Sequence, residues 1–334
     1  MGEHSHISKI MSEYVHGSEH PDLKIYRGDG MDDPAGHELW LWRTKYFCDL
    51  GEFYNKRILE VGCGFGWDAV GIALIGENEV VASDILPSMV DGMTQCLESM
   101  KAKGQPLPVT PMQADICNLD MPDASFDGIF STEAIEHVHD LGIMFDNCRR
   151  LLKPGGSLVL VNDSNKWNAE SRAHSWGSWQ ERDESWEHVN WLKTEVRPVE
   201  HADAKPYGVM REEVIRSHAP ELDNQTVAKI RKATAGMINS EIRAAIDRFR
   251  KDEVLPTPDP FSWCRNPETG EYSERLLDPF ELADMLKERG FKVELRHMFR
   301  KTPYRLFNGV GVRAINKLLF RVRQQFVLVA KKPA

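Results

Sequence analysis

The chain has 334 residues, 41% hydrophobic and 28% charged, with 51 Asp and Glu against 42 Lys and Arg for a formal net charge of -9. That length holds one large domain or a core with a sizeable insertion, and the negative balance excludes a protein that coats nucleic acid over its whole surface. No run approaches the roughly 18 apolar residues of a membrane span, no secretory layout opens the chain, and Cys48, Cys63, Cys96, Cys117, Cys148 and Cys264 lack paired metal spacing, so a cytoplasmic chain with reduced, buried thiols is expected.

In chain order, residues 1–36 are polar, rich in His, Gly and Asp, and lack periodicity, which predicts an arm with little or no order. His4, His6, His16 and His20 raise a metal reading that ranks below a plain polar arm. Residues 37–50 carry Trp40, Leu41, Tyr46, Phe47 and Leu50, compatible with a helix, and Trp40 and Trp42 are read first as packing against a sheet. The stretch Arg57-Ile58-Leu59-Glu60-Val61-Gly62-Cys63-Gly64-Phe65-Gly66-Trp67 is an apolar strand running into three glycines at alternate positions. Ile58, Leu59 and Val61 suit a buried parallel strand. Gly62, Gly64 and Gly66 let the backbone approach a ligand closely and adopt dihedrals that a Cβ forbids. A helix-like run over 67–74 follows, then a second buried strand from Glu79 to Asp84, ending in a carboxylate suited to a ribose hydroxyl pair.

This βαβ nucleotide unit admits two readings, a dinucleotide oxidoreductase and a methyltransferase that uses S-adenosylmethionine. The glycines read G-x-G-x-G, without the G-x-G-x-x-G of a pyrophosphate site, and Glu60 stands where it can organise an ammonium group. A helix with Met89, Val90, Met93, Leu97 and Met100 on one stripe comes next. Met112 to Ile116 ends a third strand with Asp115 beside an adenine, Ser125 to Thr132 reads as the fourth, and Leu151 to Val161 supplies a turn and the fifth. In this order and at these intervals the segments resemble the class I S-adenosylmethionine-dependent methyltransferases, over 57–163 and again over 278–299 and 325–331. The resemblance implies an α/β, Rossmann-like seven-stranded core with a mainly helical lid insertion between strand five and the last core helix. It divides the chain into an N-terminal arm (1–36), a cofactor-binding core (37–163), an acceptor lid (164–277) and a completion of the core (278–334). Matched motif by motif, it implies Glu60, Gly62, Gly64 and Gly66 at the methionine end of the cofactor, Asp84 and Ile85 at the ribose and adenine face, Asp115 and Ile116 at the adenine edge, and Thr132 at the pocket floor.

Glu133-Ala134-Ile135-Glu136-His137 follows strand four, where an acceptor should sit. In a helical turn Glu133, Glu136 and His137 are i, i+3 and i+4 and converge on one face, a set able to hold Mg²⁺ or another divalent cation. The string is similar to one in ubiquinone-pathway O-methyltransferases and small-RNA 2′-O-methyltransferases, which implies a metal beside the acceptor hydroxyl. Metal-free relatives also carry Glu-His here, with the pair anchoring the loop by hydrogen bonds. The insertion opens with Trp167, Trp176, Trp179, Trp186 and Trp191, whose rings suit a sugar, a planar ring or a cation and equally a satellite core. Thr226 to Lys251 reads as one long amphipathic helix. Asp278-Pro279-Phe280-Glu281 marks a helix start and Gly290 its stop, and strands six and seven are expected over 291–299 and 325–330. From Leu295 onward there are ten Lys and Arg and no carboxylate. Over 300–324, Val312, Ile315, Leu318, Leu319 and Val322 face one way and Arg313, Lys317 and Arg321 the other, a basic amphipathic segment fit for peripheral membrane contact, an acidic acceptor, or simple packing with solvated charges.

His137 is the leading acceptor-side base, with His174 and His188 from the insertion behind it. The expected activity is O-methylation of a small polar, glycosidic or lipid-linked acceptor. RNA 2′-O-methylation and a non-catalytic cofactor-binding subunit are the rivals. Nucleic acid ranks low as a partner because positive charge is confined to the tail.

Overall fold

Ile58, Leu59, Glu60 and Val61 are all buried, as a strand covered on both faces must be. The computed structural model describes residues 2–24, 34–298, 320–321 and 325–334. Its sheet contains β1 (Arg57–Val61), β2 (Glu79–Asp84), β3 (Val109–Gln113), β4 (Phe126–Thr132), β5 (Leu152–Asn162), β6 (Lys292–His297) and β7 (Phe326–Lys331) in the order β3-β2-β1-β4-β5-β7-β6. Strands β1 to β5 run parallel, and β7 lies antiparallel between β5 and β6. This is the seven-stranded Rossmann-like arrangement that the resemblance implies. The order reverses between β1 and β4, which opens a crevice beyond their carboxyl ends.

The pleat sends alternate residues to two layers. Ile58, Phe130, Val159 and Val327 join one core with Trp40, Phe47, Val70 and Met93. Leu59, Ile129, Leu158 and Leu328 join the other with Phe145, Leu151, Leu282 and Leu286. Trp40 packs against the helix after the glycine loop, where a Cβ on Gly71 would come within 2.6 Å of its ring. All six cysteines are free and buried.

The N-terminal arm is more ordered than its composition predicts. Gly2–Val15 forms helix α1, and Met11, Tyr14 and Val15 are fully buried in the first core. With Ile7 and Ile10 they recur at i, i+3, i+4, i+7 and i+8, a helical stripe that the reading of this arm as aperiodic passed over. Downstream come α2 (Pro34–Gly51), α3 (Trp67–Gly76), α4 (Pro87–Ala102) and α5 (Leu141–Leu151).

Between β5 and the last core helix, α11 (Pro279–Glu288), lie α6 (Ala169–Glu184), α7 (Trp186–Trp191) running into a π-turn (Leu192–Val196), α8 (Tyr207–His218), α9 (Asn224–Ala233) and α10 (Asn239–Asp252). The single helix expected from Thr226 to Lys251 is instead the pair α9 and α10, both packed on α8. Gly236 breaks it at φ 81°, where a Cβ would meet the Ser262 carbonyl and Trp263 Cα at 3.0 Å. Asp223 caps α9 through the Gln225 and Thr226 amides. The chain enters and leaves this insertion at adjacent points: the Leu277 amide donates to the Ser164 carbonyl (2.6 Å) and the Lys166 amide to the Leu277 carbonyl (2.9 Å). The basic segment 300–324 lies outside the described residues except for Phe320 and Arg321. No helix among the described residues is long and apolar enough to cross a membrane.

Candidate functional site

Leaving β1, the backbone turns through Gly62, Gly64 and Gly66 at φ 70°, 53° and 75°. A Cβ on Gly62 would sit 2.3 Å from Ala134 Cβ, and one on Gly66 2.5 Å from Met93 Sδ, whereas one on Gly64 has nothing within 4 Å. Close packing therefore requires the outer glycines, while the central one presents bare backbone to open space. Several bonds fix the loop. Gly62 and Cys63 amides donate to the Ser83 carbonyl (2.8 and 3.0 Å), and the Gly66 amide to the Cys63 carbonyl (2.8 Å). Asp84 accepts from the Gly64 amide through Oδ2 (2.8 Å) and from the Leu86 amide through Oδ1 (3.0 Å). Each of its oxygens keeps a lone pair for a further donor. Burial raises the Asp84 acid, and the two amides with the charges of His137 and Arg197 oppose this only in part.

Glu60 is 2% exposed, and its Oε2 has no hydrogen-bond partner among the described residues. The pleat puts it in the layer of α2 and α3, near the ion pair of Arg43 with Asp68 (2.8 Å). Burial, then Asp68 and Asp84, push its acid well above the ordinary carboxylate range, with Arg43 opposing. Thr132 Oγ1, at the end of β4, is likewise buried without a partner. Ile85 is a bare hydrophobe beside Asp84, 42% exposed, while Ile116 is buried. Asp115 caps a short turn, accepting from the Cys117 amide (2.8 Å) and Asn118 Nδ2 (2.6 Å). Two orphaned buried acceptors, an open glycine face and a bare apolar side chain at one sheet edge fit a ligand with an ammonium group, a ribose and a purine.

The side chains expected to bind a divalent cation do not converge. Glu133 to His137 form no helical turn, for Glu133 lies at φ 45° in the left-handed region. Its carboxylate accepts from the Asp163 amide (2.8 Å) and Gln325 Nε2 (2.7 Å). Glu136 accepts from Asn162 Nδ2 (2.5 Å). The loop-anchoring alternative matches this geometry, and the residues present do not make a cation site. Among the described residues the one group with ligand atoms mutually within 4.8 Å is Asp115, Cys117 and His139. There both Asp115 oxygens serve the turn, and burial and Asp115 push the Cys117 thiol up to about 11. His137 donates from Nδ1 to the Tyr272 carbonyl (2.8 Å) and holds Nε2 3.9 Å from Glu136 Oε1. Burial pulls its pKa down, but Glu136 and Glu274 outweigh this and leave it raised. His188 pairs with Glu181 (3.3 Å) against Trp191, and His174 is exposed on α6. Among the described residues, no hydrogen bond or ion pair joins either one to His137.

Residues 59–160 match a family model described as a methyltransferase domain. This part of the chain is similar to a methyltransferase domain. It runs from within β1 to within β5 and includes Glu60 and Thr132. The domain resembles the O-methyltransferase rstn1 of Aspergillus nomiae, 31% identical over 113 residues, 34% of this chain and 49% of that protein. It also resembles the sterol 24-C-methyltransferase of Yarrowia lipolytica, 29% identical over 171 residues, 49% and 43% of the two chains. A ubiquinone biosynthesis O-methyltransferase of Xanthomonas euvesicatoria pv. vesicatoria is 33% identical over 132 residues, 40% and 53%. The chain spans about half the length of these curated relatives.

From outside, residues 59–160 are met by groups that sequence reasoning missed. Arg197 pairs with Glu200 (2.7 Å), and both act electrostatically on Asp84. Asp22 accepts the Val199 and Glu200 amides. A carboxylate bonded to distant main chain leaves no pattern in sequence. Of the insertion tryptophans, Trp179 alone is fully buried, in a satellite core with Tyr207, Cys264 and Leu276 against which the half-buried Trp263 packs, while Trp167, Trp176, Trp186 and Trp191 are exposed.

Proposed function

We propose that this chain is an S-adenosylmethionine-dependent methyltransferase acting on an oxygen of a small polar, glycosidic or lipid-linked acceptor. The observation that carries the reading is Glu60 Oε2, a buried carboxylate oxygen two residues before Gly62 that has no hydrogen-bond partner among the described residues. Glu60 would hold the cofactor's ammonium group, Gly62, Gly64 and Gly66 its methionine chain, Asp84 its ribose hydroxyls, Ile85, Asp115 and Ile116 its adenine, and Thr132 the pocket floor. When bound, the cofactor supplies a sulfonium methyl group open to in-line attack. The chain's own contribution is alignment, which accounts for most of the acceleration in such transfers.

A hydroxyl acceptor must also lose its proton, and His137 would take it. The Tyr272 carbonyl can only accept, so Nδ1 carries the hydrogen and Nε2 is the basic nitrogen of the neutral ring. Glu136, 3.9 Å away, stabilises the imidazolium that results. The insertion serves as the acceptor lid, and oxygen as the attacked atom is supported by O-methyltransferases being the most frequent of the O-, N- and C-methyltransferases among the relatives.

A coupled assay of S-adenosylhomocysteine release across acceptor classes tests the proposal. His137→Ala should lower kcat by about 10²- to 10⁴-fold, with cofactor affinity unchanged. Because neutral His137 is the active form and its pKa is raised, the wild-type rate should climb with pH through a value above that of ordinary imidazole. Activity should be undiminished in EDTA. Loss reversed by Mg²⁺ would restore the cation reading.

A further inference from the structure

The stretch from Tyr14 to Asp22 has no part in the mechanism above, yet it touches three separate components of the cofactor site. Tyr14 is fully buried, and its hydroxyl donates to the Phe65 carbonyl at 2.7 Å, between Gly64 and Gly66. With the Gly64 amide held on Asp84, the loop is thus fixed from two directions. Ser18 Oγ donates to Gln95 Oε1 (2.6 Å) on α4, the helix that follows Asp84. The His20 ring tilts against Phe65 at 6.1 Å and accepts from the Asp22 amide at 3.3 Å. Asp22, 0% exposed, then reaches the insertion, taking the Val199 amide on Oδ1 (2.8 Å) and the Glu200 amide on Oδ2 (3.1 Å), 177 and 178 residues away. Charge-assisted bonds from a buried carboxylate to two successive amides are among the stronger and more directional contacts available. They hold the segment carrying Arg197 and Glu200 within electrostatic range of Asp84.

We propose that Tyr14–Asp22 is a clasp on the cofactor site, in which Tyr14 orients the glycine loop and Asp22 fastens residues 197–201 beside Asp84, so that cofactor exchange requires the Asp22 bonds to open. The inference rests on the reading that this site takes S-adenosylmethionine. Tyr14 and Asp22 are positioning residues with different kinetic signatures. Removing the Tyr14 hydroxyl loosens the loop in the bound state, whereas removing the Asp22 carboxylate opens the path in both directions.

Stopped-flow binding of S-adenosylhomocysteine to the full chain tests this. Tyr14→Phe should raise Kd about tenfold through loss of one buried hydrogen bond, with little change in the association rate. Asp22→Ala should speed both association and release about tenfold or more, with a smaller change in Kd. Asp22→Asn, which keeps the shape and one acceptor, should lie between and guards against a fold lost in the alanine variant. Faster exchange in either folded Asp22 variant supports the clasp. Wild-type exchange rates in both, with only a lowered melting temperature, would reduce Asp22 to a structural tether and overturn it. Wild-type protein that binds no S-adenosylhomocysteine would remove the cofactor reading and the clasp with it, an outcome distinct from the last.

Discussion

Burial, with Asp68 and Asp84, outweighs the opposing Arg43 charge and the Ala69 amide, so Glu60 binds a proton more readily than a carboxylate in water. Above the ordinary carboxylate range the unfolded chain ionises this group while the folded chain retains the proton. Glu60 therefore erodes stability as pH rises from that range to its raised value. A cationic ligand reverses the balance by favouring the ionised form. Calorimetry of S-adenosylhomocysteine in buffers of different ionisation heat should show proton release on binding, with affinity improving as pH rises through the pKa of the free site. Glu60→Gln should weaken binding about ten- to a hundredfold, the span of a charge-assisted hydrogen bond, while flattening the pH dependence of stability. The residues that sequence made legible are those with a local signature: glycines at alternate positions, an acid at a strand end, a bare Ile85. Tyr14, Asp22 and Arg197 had none, because each acts through a main-chain or charge contact between segments far apart in the chain.

Among the elements, the strands of the core were readable because a parallel strand buried on both faces is a continuous apolar run that tolerates few alternatives. The α9–α10 pair was not, since Val227, Ile230, Ile242 and Ile246 keep a helical period across the break and share one satellite core. Gly236 decides the matter through its backbone. Gly236→Ala should lower the urea midpoint by the equivalent of about 1–2 kcal/mol, the left-handed penalty for a side chain. A gain in stability would mean that one continuous helix is accessible after all. Glu133 to His137 failed in the opposite sense. Spacing at i, i+3 and i+4 suits a helical turn, but the positive φ at Glu133 and the pull of Asp163, Gln325 and Asn162 send the carboxylates to separate partners.

For the molecule taken entire, the insertion is held by its own interior and only then by the sheet. Arg211 and Asp183 form a bidentate ion pair at 2.6 and 2.8 Å, with Arg211 1% exposed. Asp183→Ala strands a buried guanidinium and should cost about 3–5 kcal/mol, seen as early loss of the insertion to limited proteolysis while the sheet persists. The stitched ends at Ser164 and Leu277 give this a wider meaning. Because the chain departs and returns at hydrogen-bonded neighbours, a foreign segment grafted at that seam should leave the strand order of the sheet intact, provided the graft offered Asp22 two new amides.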